Sequence, residues 1–216
     1  MEIIQLGSLA ILLKWLLLGV AVFIGLLFLK YYTKKSSDSL SFDLISNSVF
    51  WGFVVWKLSL LIIEPTLIIN SPLSLLYFTG GSTGLLLAII FSIVYVLWKS
   101  RETNVLRAGL FFSLVVMSGY HLLMVLFLDD QHLYHILVAL GSILGLWYIK
   151  TSKIVIKVII YYSFLRVALL LALVDPNDER VFIFTFEQWF FVAIILVLLI
   201  FWERLPIKNE NLGETN

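Results

Sequence analysis

Long apolar segments separated by short polar connections make up most of the chain. Because about 20 apolar residues cross a bilayer as a helix, we predict membrane spans near residues 5–29, 43–63, 73–98, 106–128, 132–149, 154–174 and 181–203. The first segment lacks a small-residue cleavage site and is too long for a signal peptide, so we expect it to be retained. The pattern predicts an all-α integral membrane protein with seven transmembrane helices, one domain over 1–205 and a tail over 206–216.

The composition agrees with a lipid environment. Of the 216 residues, 61% are hydrophobic and 13% are charged, and the mean hydropathy is +1.03. A soluble domain of this size needs more polar surface. The net charge of +1 argues against nucleic acid as a partner, and the lack of cysteine excludes thiolate chemistry. The histidines, His121, His132 and His135, lack a metal-binding spacing, so no metal or cofactor is expected, and His132 and His135 are assigned to a membrane interface.

Basic residues predict the orientation. Eleven of the fifteen lie on one side of the predicted spans: Lys30, Lys34, Lys35, Lys99, Arg101, Arg107, Lys150, Lys153, Lys157, Arg204 and Lys208. The opposite side carries only Arg180 among several acidic residues. Since loops rich in Lys and Arg stay in the cytoplasm, we expect the N-terminus outside and the C-terminus in the cytoplasm.

The three remaining basic residues, Lys14, Lys57 and Arg166, fall inside predicted spans. Each costs about 2.5–3.5 kcal/mol at a helix centre, so a partner or a wet cavity is expected. Glu187 is the nearest acidic candidate, and Glu64 lies close to the outer end of the second span. Taken singly, each basic residue could instead extend its charge to the interface or form a structural ion pair.

The predicted topology places these features at similar depths. At about 1.5 Å per residue, Lys14 lies about 14 Å below the outer end of its span, and Lys57 and Arg166 roughly 9–12 Å below theirs. Glu187 and the glycine stretch at 80–84 lie about 9–10 Å down by the same measure. These depths predict an outward-facing cavity of net positive charge. A phospholipid with an anionic headgroup is the guest that such a cavity suits.

The stretch YFTGGSTGLLLA at 77–88 opens the third span with small and polar residues. One interpretation is that these residues line the cavity and let a headgroup approach the backbone. The other is a close helix–helix contact, because Gly80 and Gly84 are four residues apart. Both interpretations stay open at this point.

Six segments follow one another in the order of the motifs of a known membrane enzyme. They are LGSLAILLKW (6–15), FWG with KL (50–52, 57–58), FTGGSTGLLLA (78–88), LYH (133–135), YSFLRV (162–167) and EQWFFVAIILVLL (187–199). The chain thereby resembles prolipoprotein diacylglyceryl transferase, which moves diacylglycerol from phosphatidylglycerol onto a cysteine of a lipoprotein precursor. The resemblance implies a transferase-like helical bundle in the bacterial cytoplasmic (inner) membrane, with Lys14 and Arg166 at family arginines.

The chain departs from the family pattern at positions of chemistry. Thr79 stands where the family has a histidine, Leu16 where it has a tyrosine, and Tyr120 where its signature has an arginine; Leu123 and Leu170 stand at or near a family asparagine and glutamate. The surviving cations can hold a phosphate but do not readily deprotonate a thiol. His121 is the candidate replacement base.

Three functions are compatible with this pattern. The first is a diverged relative, a pseudoenzyme, that binds anionic phospholipid, with phosphatidylglycerol as the expected lipid, and helps or regulates another membrane protein. Another membrane protein or a lipoprotein precursor is its expected partner. The second is an active transferase with His121 as its base. The third is a small-solute transporter or a structural or regulatory subunit of a membrane complex. For the first two functions, the residues expected to bind the headgroup are Lys14, Lys57 and Arg166. The expected cavity-lining residues are Thr79, Gly80, Gly81, Ser82, Gly84, Tyr120, Glu187 and Gln188.

Overall fold

In a computed structural model the chain is built mainly from helices. The structure describes residues 3–6, 9–35, 38–70, 80–100, 103–127, 131–149, 152–173, 180–181 and 184–201. Its helices are α1 (Leu13–Lys35), α2 (Ser39–Leu58), α3 (Leu60–Ile63), α4 (Pro65–Asn70), α5 (Gly81–Lys99), α6 (Thr103–Phe127), α7 (His132–Tyr148), α8 (Ser152–Leu173) and α9 (Phe186–Phe201). Two antiparallel hairpins precede α1 and α9: β1 (Ile3–Leu6) with β2 (Leu9–Leu12), and β3 (Arg180–Val181) with β4 (Phe184–Thr185).

Within these described ranges, five helical segments are long and apolar enough to cross a membrane. They are Leu13–Lys35, Ser39–Ile63, Gly81–Lys99, Asn104–Phe127 and Ile156–Leu173. Large apolar side chains cover much of the outside of these helices, as expected for surfaces that face lipid. The fifth and seventh predicted spans coincide with the shorter apolar helices α7 and α9. The fold is therefore that of a helical protein suited to a membrane, and the count of seven spans stays a prediction.

The first predicted span begins too early. Residues 5–12, predicted as helix, pair within the β1–β2 hairpin, with Leu6 opposite Leu9. The sequence has Gly-Ser between the two strands, a dipeptide typical of tight hairpin connections. Because α1 begins at Leu13, Lys14 lies in its first turn. The helical rise from residue 5 that gave its predicted depth of about 14 Å therefore does not apply.

The helices divide into two compact units. The first comprises Met1–Gly19 and Leu26–Gly109, and the second comprises Val20–Gly25 and Leu110–Asn216. The prediction of one membrane domain over 1–205 stays a prediction, and the tail at 206–216 lies outside the described residues.

In the first unit, α2 and α5 pack closely because small residues face each other. The Ser92 hydroxyl of α5 donates a hydrogen bond to the Ser48 carbonyl of α2 (3.0 Å) and lies against Gly52. At the other end of the pair, Ser59 lies against both Gly80 and Gly84. The described part of the glycine stretch thus makes the close helix–helix contact that the spacing of Gly80 and Gly84 predicted.

Replacing Gly84 by valine is expected to lower the free energy of unfolding by about 1–3 kcal/mol, because added carbons in a packed contact force neighbours apart. A Cβ at Gly84 would meet the Ser59 hydroxyl and lie 3.2 Å from Trp56 Cδ1. Gly19 of α1 is the matched control, since a Cβ there meets nothing within 4 Å. Thermal unfolding in detergent measures both variants, and equal midpoints would contradict the close contact.

The second unit packs α8 against α7 and α9. One apolar cluster joins Leu114 of α6 to Ile149 and Val158, and another joins Tyr134, Val138 and Leu170. The second cluster lies between α7 and α8 and includes Tyr134, whose ring also contacts the buried charge described below.

Candidate functional site

Arg166 of α8 is the centre of a buried polar network in the second unit. Only 5% of its side chain is exposed, and its Nη2 donates to the Glu187 carboxylate of α9. Its Nη1 donates to His121 Nε2 of α6 (3.0 Å). The sequence predicted Glu187 as an acidic partner for the intramembrane cations, and this pairing is confirmed for Arg166.

Two aromatic rings enclose the guanidinium. Its Cζ lies 5.4 Å from the ring centre of Tyr134 and 5.3 Å from that of Phe191. Cation–π contacts of this length contribute about 0.5–2 kcal/mol each, with the larger values where water is excluded. The two rings therefore hold the arginine charge in place among apolar side chains.

A directed chain of hydrogen bonds leads from Arg166 to a histidine pair. Because arginine can only donate, His121 Nε2 must accept and carry no proton. The proton of a neutral His121 ring is then on Nδ1, which lies 2.7 Å from His135 Nδ1 and donates to it. His135 consequently carries its proton on Nε2. Arg166 thus sets the tautomers of both buried rings.

His135 is buried beside His121, in the first turn of α7, and its predicted place at a membrane interface stays a prediction. The two rings lie on different helices, fourteen residues apart in sequence. A single sequence carries no signal for this contact, because the distance between α6 and α7 depends on how the helices pack.

Glu187 is held in position by the start of α9. The Thr185 backbone N–H donates to the Gln188 side-chain oxygen (2.8 Å), and the Gln188 N–H donates to the Thr185 hydroxyl (3.4 Å). This reciprocal pair is a capping box, and its sequence form is Thr-Phe-Glu-Gln. It begins the helix at Phe186, so Glu187 lies in the first turn. The helical rise from residue 181 that gave its predicted depth of about 9 Å therefore does not apply.

The pairing leaves part of the guanidinium without a partner. Arg166 Nε is buried, and no hydrogen-bond acceptor lies within reach of it in the described structure. The Glu187 side chain is much more exposed than that of Arg166, with 46% of it accessible to solvent. The site thus combines a buried fork of N–H donors with a carboxylate that is half-exposed at one edge.

Tyrosines surround this network. The Tyr120 ring lies 5.3 Å from the ring of His121, and Tyr120 is partly buried. The Tyr162 hydroxyl lies 3.2 Å from the Ser142 hydroxyl, which donates to the Val138 carbonyl (2.8 Å). Hydroxyls inside an apolar bundle need such internal partners.

The first unit brings several predicted residues to one end. Lys14 Nζ lies 4.9 Å from the Trp15 ring centre, and Trp15 contacts Trp56 at 5.1 Å between ring centres. Trp56 Nε1 donates to the Gly81 carbonyl (3.0 Å). Gly81 has a φ of +62°, a conformation that glycine adopts without strain. Lys57 follows Trp56 in α2, so Lys14, Lys57 and Gly81 share this end of their unit.

The other predicted lining residues differ in their surroundings. Ser82 is exposed, whereas Gly80 and Gly84 are buried against Ser59. Gln188 is buried, and its side chain closes the capping box. Thr79 lies outside the described residues. Arg166 is in one unit and the two lysines are in the other, so a single headgroup site formed by all three stays a prediction.

Comparisons with known proteins identify no relative. No family model matches the chain, and no curated protein or solved structure matches it. Within the part of the chain that the structure describes, no group of three or more His, Asp or Glu side chains is arranged to hold a metal ion.

Proposed function

We propose that this chain is a multi-pass protein of the bacterial cytoplasmic membrane that binds the phosphate of an anionic phospholipid at Arg166. Phosphatidylglycerol is the proposed lipid. The observation that carries the proposal is the buried Arg166 fork, with Nε unpartnered and a half-exposed carboxylate as its counter-ion. Ionisable side chains within membrane helices are costly and most often mark a functional site. A guanidinium matches the geometry of phosphate better than an ammonium does.

The proposal includes the predicted seven spans, with the N-terminus outside and the C-terminus in the cytoplasm. A lipid would then reach Arg166 sideways from the outer leaflet, through the edge at which Glu187 is exposed. Lys14 and Lys57 belong to the proposal as headgroup contacts of the first unit. Amphipathic tryptophans such as Trp15 and Trp56 are common at the headgroup level of a bilayer.

The hydrogen bonding of His121 supports a protein that binds lipid without transferring it. A general base needs a free lone pair within reach of the proton that it removes. The His121 Nε2 lone pair accepts from Arg166, and Nδ1 is engaged by His135. Neither nitrogen is available to deprotonate a thiol. The resemblance to prolipoprotein diacylglyceryl transferase is therefore retained as a proposal about fold and lipid, and the transfer reaction is not part of it.

Lipid mass spectrometry on the purified protein tests the binding function. After extraction from a membrane of known composition, phosphatidylglycerol should be enriched over zwitterionic lipid relative to the starting membrane. Retention in the proportions of the starting membrane would contradict a headgroup site.

Complementation tests the absence of transfer. A strain depleted of its own transferase and expressing this chain should accumulate a model lipoprotein precursor without thioether-linked diacylglycerol. A strain rescued by the authentic enzyme serves as the positive control. Appearance of the lipidated precursor with this chain would show that it is an active transferase.

A further inference from the structure

Glu187 occupies the position at Arg166 that a phosphate would need. Its carboxylate accepts from Nη2 and lies in the first turn of α9. Backbone N–H groups of a first helical turn have no acceptor within their own helix. A phosphate is recognised by the same two features, a guanidinium fork and a helix N-terminus. The carboxylate and an incoming phosphate therefore compete for one place.

The surroundings of Glu187 allow the side chain to leave without disturbing the helix. Its neighbour Gln188 is buried and fixes the backbone through the capping box with Thr185. Glu187 itself is half-exposed, whereas Arg166 is held by His121 and by two aromatic rings. The cation is thus the fixed member of the pair, and the carboxylate is the movable one.

We propose that Glu187 is a displaceable internal ligand of the anion site. It neutralises Arg166 while the site is empty of phosphate, and it moves outward when the phosphate of a lipid with net negative charge binds. This inference rests on the proposed function. It adds that the Glu187 carboxylate excludes anions that bind Arg166 more weakly than Glu187 does. A lipid without phosphate offers Arg166 no replacement charge, and the phosphate of phosphatidylcholine already has the ammonium of its own headgroup as counter-ion, so neither displaces the carboxylate.

Glu187→Gln distinguishes a displaceable ligand from a permanent counter-ion. The amide keeps the size of the side chain and removes the competing charge. In nanodiscs of phosphatidylcholine with graded phosphatidylglycerol, we expect the variant to bind phosphatidylglycerol about two- to fivefold more tightly than the wild type, the size of a part-exposed ion pair. Glu64→Gln is the control, because Glu64 is also exposed and lies in the other unit. Unchanged or weaker binding by Glu187→Gln would overturn the inference.

Carbodiimide labelling of the wild type follows the movement directly. Addition of phosphatidylglycerol, and not of phosphatidylcholine, should speed modification of Glu187 while leaving that of Glu64 unchanged. Inorganic phosphate in phosphatidylcholine discs is the second arm. If phosphate alone speeds labelling of Glu187 and phosphatidylglycerol does not, the displacing ligand is a free phosphate, and the inference for a lipid fails.

The two proposals fail in different ways. If the wild type binds no phosphatidylglycerol above background, the proposed function is wrong. If the wild type binds it and Glu187 labelling stays constant, only the displacement is wrong, and Glu187 is a permanent counter-ion.

Discussion

Replacing Arg166 by methionine should lower bound phosphatidylglycerol about tenfold or more, because charge-assisted hydrogen bonds to a phosphate contribute roughly 1.5–3 kcal/mol each. Methionine fills similar space among Tyr134 and Phe191, so loss of the donors is the main change. Lipid mass spectrometry on protein purified from one membrane preparation measures the ratio of phosphatidylglycerol to zwitterionic lipid.

Two further variants separate charge from geometry. Lys157→Ala removes the same charge from the same helix at an exposed position, and it should leave the ratio unchanged. Arg166→Lys keeps the charge without the planar fork, so intermediate retention is expected. If Arg166→Met retains as much phosphatidylglycerol as Lys157→Ala, then Arg166 serves only the structure.

The second large effect concerns the histidine pair. His121→Leu is expected to lower the free energy of unfolding by about 2–4 kcal/mol, because it leaves Arg166 Nη1 and His135 Nδ1 buried without a partner and each such group costs about 1–3 kcal/mol. Both hydrogen bonds are of ordinary length, at 3.0 Å and 2.7 Å. Thermal or denaturant unfolding in a fixed detergent measures the change.

A double-mutant cycle identifies the source of that loss. Adding His135→Leu to His121→Leu removes one of the two unsatisfied groups, so the double variant should cost less than the sum of the single variants. Ser118→Ala is the control on α6, because the Ser118 hydroxyl is also buried and donates to the Val115 carbonyl of its own helix (3.0 Å). Strictly additive losses would mean that the two histidines do not interact.

The sequence predicted the apolar helices well and their ends poorly. Hydropathy cannot distinguish a helix from a short apolar hairpin. The first predicted span therefore included residues that form the hairpin of Ile3–Leu6 with Leu9–Leu12. At the other end of the chain, the Thr-Phe-Glu-Gln capping box at 185–188 was visible in the sequence. It would have started the last helix at Phe186 instead of residue 181.

Charged residues in the sequence predicted part of the buried polar network around Arg166, whereas its neutral polar residues were not predicted. A basic residue within a span needs a partner, and this requirement named Glu187 as the nearest acidic candidate for Lys14, Lys57 and Arg166 together. The structure shows that Glu187 pairs with Arg166. Neutral histidine and tyrosine side chains need no counter-ion, so a single sequence does not indicate that His121, His135 and Tyr134 lie at this site. Their roles depend on how α6 and α7 pack, which the spacing of apolar residues leaves open.

The most direct test of the central claim is the contact between Arg166 and a lipid phosphate. Solid-state NMR on protein with ¹⁵N-labelled arginine side chains, in bilayers containing phosphatidylglycerol, detects dipolar coupling between guanidinium nitrogen and lipid phosphorus. We predict a coupling component consistent with guanidinium N···O distances of about 2.7–2.9 Å to the phosphate, present in the wild type and lost in Arg166→Lys. Four other arginines are also labelled, so the difference between the two proteins is what reports on Arg166. Equal coupling in the wild type and in Arg166→Lys, or none in the wild type, would contradict a headgroup site at Arg166.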